Sequence, residues 1–193
     1  MKISIREIRG NWNSGYVLDK HTISSTYLGD DAHGHARFDT VRSEAGEALF
    51  QLKYRDDWTK VDVLANELAA SIYPKFPNVG FLVPMPASNP RHRQPVTEVT
   101  KKLGELVDTP VFESILTKKS TGTQLKDLHN KDEKLKILKN TFNINDDIQG
   151  NGPWNVLLVD DLFDTGATLE AACEALRTYP KVRNIYVAVL TWK

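Results

Sequence analysis

Residues 156–168 read VLLVDDLFDTGAT and form the clearest structural pattern in the chain. The four apolar residues 156–159 predict a buried parallel strand, because such a strand is covered on both faces. Asp160 and Asp161 follow at its carboxyl end, where open α/β sheets bind their ligands. A short run of small and hydroxylated residues then leads into a helix predicted over residues 168–177. The segment therefore predicts a strand, a ligand-binding turn and a helix.

The predicted turn has the chemistry that a sugar phosphate requires. Backbone N–H groups of residues 165–168 can point at a phosphate placed on the helix N-terminus. Gly166 lets the backbone approach closely, and the two threonine hydroxyls add donors. Asp160 and Asp161 can accept hydrogen bonds from vicinal ribose hydroxyls. They can also hold a magnesium ion, directly or through the sugar, since magnesium prefers oxygen ligands.

Other interpretations of this segment exist. The paired acids can simply end a strand, with Asp164 or Thr165 capping the following helix. A receiver domain also has paired acids after an apolar strand, but there they normally follow the first strand, not one in the last quarter of the chain. A Walker-type phosphate loop is excluded, because no Gly-Lys-Ser/Thr sequence follows.

Composition limits the class of protein. The 193 residues suggest one domain, alone or with a small appendage, and 40% of them are hydrophobic. The net charge is zero, which gives no support to a general attraction to nucleic acid or membranes. Without a secretory signal or a long apolar run, we expect a cytoplasmic protein that does not enter the membrane. The single cysteine, Cys173, cannot form an internal disulfide and is expected to be a small buried residue.

The order of predicted elements indicates the fold class. We expect a β-rich N-terminal segment over residues 1–46 and a core domain over residues 47–193. Strands are predicted at residues 16–18, 48–52, 80–85, 111–116, 155–159 and 184–190, and helices at 58–73, 96–107, 131–139 and 168–177. Strand, helix and strand repeated in this way predict an α/β fold, with a mostly parallel sheet flanked by helices.

The segment at 156–168 resembles the phosphoribosyl pyrophosphate signature of the type I phosphoribosyltransferases. The resemblance implies that family's fold, with the N-terminal segment as a hood, a homodimer, and Mg²⁺ as cofactor. It implies that Asp160 and Asp161 bind the ribose hydroxyls and the metal. The 5-phosphate would be bound by the turn residues Asp164, Thr165, Gly166, Ala167 and Thr168.

Looser matches extend this resemblance to the ComF branch of the family. They are LKY at 52–54, VPMP at 83–86 and TGTQ at 121–124. Two features differ from that branch. The four-cysteine zinc module found in many of its members is missing, and the sequence at 91–96 is RHRQPV where an Arg-Gly-Phe-Asn-Gln run is usual.

The family resemblance also implies a pyrophosphate-binding loop and a lid. Ser88, Arg91 and Arg93 would bind pyrophosphate, since the planar guanidinium suits phosphate oxygens. A solvated basic loop is the alternative. The Lys-rich residues 118–139 match the position of the family's flexible lid, which would exclude water during the reaction. Lys118 would neutralise the departing pyrophosphate, unless it belongs to an ordinary solvated loop.

Two further residues are candidates for contact with the acceptor. Asp164 is the candidate catalytic residue, because nucleobase-using relatives carry an acid there that handles a proton on the base. Trp192 would stack on the base, as an aromatic residue does in purine enzymes of the family. The alternatives are a helix-capping carboxylate and a hydrophobic anchor for the C-terminus. Separately, Asp31, His33 and His35 form the only His-rich cluster, whose spacing alone does not establish a metal site.

The sequence thus predicts a phosphoribosyltransferase that moves the phosphoribosyl group to a nucleobase or amine and releases pyrophosphate. One alternative is a non-catalytic module that senses the ligand and regulates another process. Another is a ComF-like protein associated with DNA uptake, although neutral net charge argues against direct binding of nucleic acid. The sequence leaves open which acceptor is used, and whether the N-terminal segment selects it or makes dimer contacts.

Overall fold

The computed structural model describes residues 1–87, 91–119, 137–138 and 140–193. In these ranges the strands are β1 (Arg6–Glu7), β2 (Ser14–Lys20), β3 (Thr22–Asp30), β4 (Ala36–Arg42), β5 (Val79–Pro84), β6 (Leu116–Lys118), β7 (Phe142–Ile144), β8 (Trp154–Phe163) and β9 (Val182–Trp192). The helices are α1 (Glu44–Tyr54), α2 (Lys60–Glu67), α3 (Pro95–Leu106) and α4 (Ala167–Arg177). Helix α2 continues as a π-helical segment (Leu68–Ile72) and a 3-10 turn (Tyr73–Lys75).

The central sheet has five strands in the order β1-β2-β9-β8-β5. Strands β2, β9, β8 and β5 are parallel, and only the short edge strand β1 runs antiparallel. Phe163 of β8 and Lys20 of β2 both lie beside Trp192 of β9. The carboxyl ends of these three strands therefore meet at one edge of the sheet. The predicted fold class, a mostly parallel sheet flanked by helices, is confirmed.

Strand β8 is buried on both faces, which explains its unbroken apolar sequence. Val156 and Leu158 pack in the cluster that includes α4, whereas Leu157 and Val159 pack in the cluster that includes α1, α2 and α3. All four side chains are fully buried. Burying each of them contributes about 1.5–3 kcal/mol, so this strand anchors both layers of the core. It also fixes where the residues that follow it emerge.

The strand predicted at 48–52 is wrong, because this segment belongs to helix α1. Ser43 caps the helix, and its Oγ accepts a hydrogen bond from the N–H of Gly46 at 2.9 Å. The buried side chains of α1 recur at helical spacing: Ala45, Ala48, Leu49 and Leu52. A five-residue segment with four apolar residues fits a buried strand and a buried helix equally well, and only its flanking residues separate the two.

Other element boundaries also differ from the prediction. Of the strand predicted at 111–116, Val111 makes an isolated bridge to Leu82, and Leu116 begins β6. The helix predicted at 58–73 is divided into α2 and the π-helical segment. The strands predicted at 16–18, 80–85, 155–159 and 184–190 and the helices at 96–107 and 168–177 are confirmed within a few residues. Most of the helix predicted at 131–139 lies outside the described residues.

The first 46 residues are divided between two sheets. Strands β1 and β2 belong to the central sheet, and β2 pairs directly with the last strand, β9. Strands β3 and β4 form a separate antiparallel ribbon that begins at the carboxyl edge of the central sheet. Five large apolar side chains of the ribbon are exposed: Ile23, Tyr27, Leu28, Phe38 and Val41. The role of residues 1–46 as a hood stays a prediction.

None of the described helices is both long enough and apolar enough to span a bilayer.

Candidate ligand-binding cleft at the carboxyl edge of the sheet

A cleft of about 370 Å³ opens where β5 and β8 end. Its wall combines the end of β8 and the start of α4 with residues from α1, β6 and the chain that precedes α3. The predicted ligand-binding residues that line it are Asp160, Asp161, Asp164, Thr165, Gly166, Ala167, Thr168, Arg91 and Lys118. Folding thus brings residues from three distant parts of the sequence to one cavity. What they bind there stays a prediction.

The turn between β8 and α4 is built around Gly166. Its φ angle is +82°, in the left-handed region that glycine adopts without steric cost. Gly166 is the N-cap of α4, and Thr165 Oγ1 accepts a long bond of 3.4 Å from the N–H of Ala167. The first N–H groups of any α-helix have no acceptor within the helix, and they form the positive end of its dipole. In α4 this end lines the cleft, so the turn is suited to an anion.

Asp160 is the more buried of the two acids, with 8% of its surface exposed. Its Oδ1 accepts a hydrogen bond of 2.8 Å from the backbone N–H of Asp161. Burial and the neighbouring charge of Asp161 raise the pKa of Asp160 to about 7, against the opposing effects of that hydrogen bond and of Lys53 and Lys118. Asp160 therefore changes charge near neutral pH when no ligand is bound.

Asp161 is held by a lysine that sequence reasoning did not select as a site residue. Lys53 Nζ donates to Asp161 Oδ2 at 2.6 Å, and the two side chains are 24% and 21% exposed. Burial disfavours the charged lysine, but the charge and hydrogen bond of Asp161 outweigh it and raise the pKa of Lys53. The two residues are 108 positions apart, so no local pattern connects them.

A hydrogen bond from Thr191 of β9 fixes the backbone of Asp161, and His21, which lies between β2 and β3, contacts Thr191 in turn. Thr191 is fully buried, and its Oγ1 donates to the carbonyl oxygen of Asp161 at 3.0 Å. Because the hydroxyl has one proton, His21 Nδ1, which lies 3.1 Å from the same Oγ1, must be the donor to it. Burial, followed by the charges of Arg42 and Lys53, lowers the pKa of His21. The neutral Nδ1–H tautomer of His21 therefore supports the end of β8.

The two arginines that were predicted to bind pyrophosphate point to different places. Arg91 lines the cleft, and its Nη1 donates to the backbone oxygen of Lys53 at 2.9 Å. Arg93 lies outside the cleft wall. It donates to Glu98 Oε2 at 2.8 Å, and its guanidinium stacks 3.9 Å from the ring centroid of Trp58. The structure thus retains Arg91 as a candidate and does not bring Arg93 to the site. Ser88 lies outside the described residues.

Two lysines complete the cationic part of the wall. Lys118 in β6 is partly buried, which lowers its pKa, and the charge of Asp160 opposes this effect. Lys193, the last residue, also lines the cleft, and its backbone N–H bonds the carbonyl oxygen of Phe163 at 3.0 Å. No sequence motif includes Lys193, so it was not among the predicted site residues. Residues 120–136 and 139 of the predicted lid lie outside the described residues.

Trp192 is not part of the cleft wall. Its ring lies 4.6 Å from the guanidinium carbon of Arg6 and 5.6 Å from Lys20 Nζ, measured to the ring centroid. Phe163 is its neighbour on β8. These contacts agree with the alternative interpretation, in which Trp192 anchors the last strand. The stacking of Trp192 on a base stays a prediction.

The His-rich cluster forms a turn at the tip of the β3–β4 ribbon. Asp31 Oδ1 accepts backbone N–H bonds from His33 at 2.8 Å and from His35 at 2.9 Å. In the ranges that the structure describes, no group of three or more His, Cys, Asp or Glu side chains is arranged to hold a metal ion. Asp31 therefore has a structural role as the acceptor of this turn.

Comparison with solved structures finds phosphoribosyltransferases. A hypoxanthine phosphoribosyltransferase from Staphylococcus aureus matches with a TM-score of 0.41 and 18% sequence identity. The match covers 69% of this chain and 63% of that protein. A purine phosphoribosyltransferase from Pyrococcus horikoshii matches with a TM-score of 0.42 and 22% sequence identity, and the match covers 70% of this chain and 74% of that one. For an adenine phosphoribosyltransferase the TM-score is 0.43 and the identity 14%, covering 86% and 84% of the two chains. No protein-family model and no curated protein sequence matches this chain. The functional assignment therefore depends on the residues of the cleft.

Proposed function

We propose that this chain is a phosphoribosyltransferase that binds phosphoribosyl pyrophosphate in the cleft at the end of β8. One observation carries the proposal. The paired acids Asp160 and Asp161 and the glycine turn at the start of α4 line the same cleft. Carboxylates accept hydrogen bonds from sugar hydroxyls, and a helix N-terminus binds phosphate. A pentose 5-phosphate requires both groups within one cavity.

The wall of the cleft suggests how the ligand is oriented. The 5-phosphate would lie on the N-terminus of α4, and the ribose hydroxyls on Asp160 and Asp161. The pyrophosphate group would then face Arg91 and Lys118, which line the same cleft. The described wall contains four cationic residues and three acidic ones: Lys53, Arg91, Lys118 and Lys193 against Asp160, Asp161 and Asp164. This small cationic excess suits a ligand with several negative charges.

We also propose that the cleft binds magnesium, and the residues present fit a site that is shared with the substrate. Two carboxylates are too few for an all-protein site, but Mg²⁺ in proteins is often held by one or two carboxylates together with substrate oxygens and water. Asp160 and Asp161 would be those carboxylates. When bound, the ion would neutralise charge on the departing pyrophosphate.

The residues of this chain would act mainly by position and charge. The wall would hold the anomeric carbon against the acceptor, and the cationic side chains would stabilise the charge that develops on pyrophosphate. Asp164 lines the cleft, and its exposed position lets it exchange a proton with an acceptor. We therefore propose Asp164 as the general acid–base residue and a nucleobase or an amine as the acceptor.

Binding and turnover test the proposal separately. Titration calorimetry should show that phosphoribosyl pyrophosphate binds the wild-type protein in the presence of magnesium, and that D160N/D161N binds at least 100-fold more weakly. A pyrophosphate-release assay over a panel of nucleobases and amines then identifies the acceptor. D164N should lower kcat at least 10-fold and leave the Kd for phosphoribosyl pyrophosphate within about 3-fold. Unchanged affinity in the double variant would contradict the proposal.

A non-catalytic sensor of the same ligand is the second candidate. It is favoured by the position of Arg93, which interacts with Glu98 and Trp58 and so leaves fewer cations for the leaving group. Tight binding with no pyrophosphate release for any acceptor would support this candidate.

Lys53 belongs to the LKY sequence that resembles the ComF branch, and its position in the cleft favours assignment of the chain to that branch. A homodimer in the cytoplasm remains part of the proposal.

A further inference from the structure

Lys53 connects three parts of the cleft that are distant in sequence. It lies in the last turn of α1, and its ammonium reaches across to Asp161 Oδ2 at 2.6 Å. Its backbone oxygen accepts the hydrogen bond from Arg91 Nη1 at 2.9 Å. One residue thus contacts the acid proposed to bind the sugar through its side chain, and the arginine proposed to face the pyrophosphate through its backbone.

The environment of this ion pair differs from that of an ordinary surface pair. Both side chains are about one-quarter exposed and both line the cleft. A fully exposed lysine–carboxylate pair contributes little to stability, because solvent screens the two charges. Here the adjacent Asp160 places a second carboxyl group in the same short segment, so Lys53 offsets the repulsion between the two acids when both are charged. The pair is therefore placed to order the carboxylate and not only to stabilise the fold.

We propose that Lys53 is a positioning residue, which holds the Asp161 carboxylate in the orientation that binds the ribose hydroxyls. This inference deepens the proposed function and rests on it. A carboxylate fixed on one oxygen by an ammonium loses rotational freedom before the ligand arrives, and such preorganisation strengthens binding. Without Lys53, Asp161 would still be present but would sample several rotamers.

The role of Lys53 can be separated from direct contact with the ligand by the choice of probe. Both probes are titrated without magnesium, because the proposed metal would itself contact Asp161. Ribose 5-phosphate reports on the sugar and 5-phosphate contacts, whereas inorganic pyrophosphate reports on the leaving-group contacts. For ribose 5-phosphate we expect K53M to raise the Kd about 10-fold and K53R to restore it to within about 3-fold of wild type. For pyrophosphate we expect K53M to change the Kd less than 2-fold.

A double-mutant cycle identifies the partner of Lys53. If Lys53 acts through Asp161, the variant K53M/D161N should bind ribose 5-phosphate no more than 2-fold worse than D161N alone, since both changes remove the same interaction. The matched control is K60M, because Lys60 pairs with Asp57 at 3.3 Å, outside the cleft wall. K60M should leave both Kd values unchanged. K53Q is a second uncharged variant, and its Kd values should match those of K53M. Melting curves of K53M, K53R and K53Q identify any variant that is not folded at the assay temperature, and the folded variants are compared.

The outcomes distinguish this inference from the proposed function. Wild-type protein that binds neither ribose 5-phosphate nor phosphoribosyl pyrophosphate overturns both. Wild-type binding that K53M leaves unchanged overturns only the role of Lys53. The role of Lys53 is also overturned if K53M and D161N weaken ribose 5-phosphate binding additively, or if K53M weakens only pyrophosphate binding. Either result would mean that Lys53 acts through a contact other than Asp161.

Discussion

A Cβ atom at Gly166 would lie 3.1 Å from Cε2 of Phe163. Phe163 is the last residue of β8, and Gly166 is the N-cap of α4, so the turn between them closes on an aromatic ring. The ring also makes an edge-to-face contact with Trp12, with the centroids 6.5 Å apart. The chain at the mouth of the cleft is therefore restricted both by the φ angle of Gly166 and by the space beside it.

The first prediction concerns this turn. G166A places a side chain at a φ of +82° and against the Phe163 ring. We expect a loss of about 1–2 kcal/mol in the free energy of unfolding, measured by denaturant titration, and at least 10-fold weaker binding of ribose 5-phosphate. The control is G34A, at a φ of +79° with no atom within 4 Å of the added Cβ. G34A should leave ligand affinity unchanged, and an equal loss of affinity in both variants would refute the role of the turn.

The second prediction concerns pH. The pKa of Asp160 is raised from 3.8 to about 7 in the folded protein, so the folded state binds this proton more tightly than the unfolded chain. The group therefore costs increasing stability as the pH rises from about 4 to 7, and the full cost is present above pH 7. With EDTA present, D160N should be more stable than wild type at pH 8, by of the order of 2 kcal/mol, and should show little gain at pH 4. If D160N gained the same stability at pH 4 and at pH 8, the gain would not come from the charge of Asp160, and the prediction would be wrong.

The third prediction compares the two arginines. R91M should raise the Kd for inorganic pyrophosphate with magnesium about 5- to 10-fold, because Arg91 lines the cleft. R93M should leave that Kd unchanged, because Arg93 interacts with Glu98 and Trp58. Loss of the exposed Arg93–Glu98 pair should cost less than about 1 kcal/mol of stability. Weaker pyrophosphate binding in R93M than in R91M would reverse the assignment.

The fourth prediction concerns the single cysteine. Cys173 is fully buried in α4, and burial raises its pKa to about 12. Because the thiolate is the reactive form, iodoacetamide at pH 8 should not label the native protein within an hour, whereas the protein in 6 M guanidinium should be labelled completely. C173A should bind ribose 5-phosphate like wild type. Rapid labelling of the native protein would show that this part of α4 opens, contrary to its packing.

Local sequence patterns predicted the elements that carry their own signals. Residues 156–168 specified a buried strand, a glycine-containing turn and a helix, since four apolar residues, two acids and a glycine constrain the backbone locally. The helix predicted at 96–107 is also present, as α3. Helix α1 was missed, although Ser43 and the spacing of Ala45, Ala48, Leu49 and Leu52 contained the signal. The short run at 48–52 was interpreted without them.

The sequence by itself determined the strand and turn that present Asp160 and Asp161, because neighbouring residues fix those features. Only the tertiary structure decided that β2 lies beside β9, that Lys53 reaches Asp161, and that Arg91 faces the cleft while Arg93 does not. Contacts between residues 108 positions apart depend on how whole helices and strands pack. Packing is set by the complete core, so no short sequence pattern encodes it.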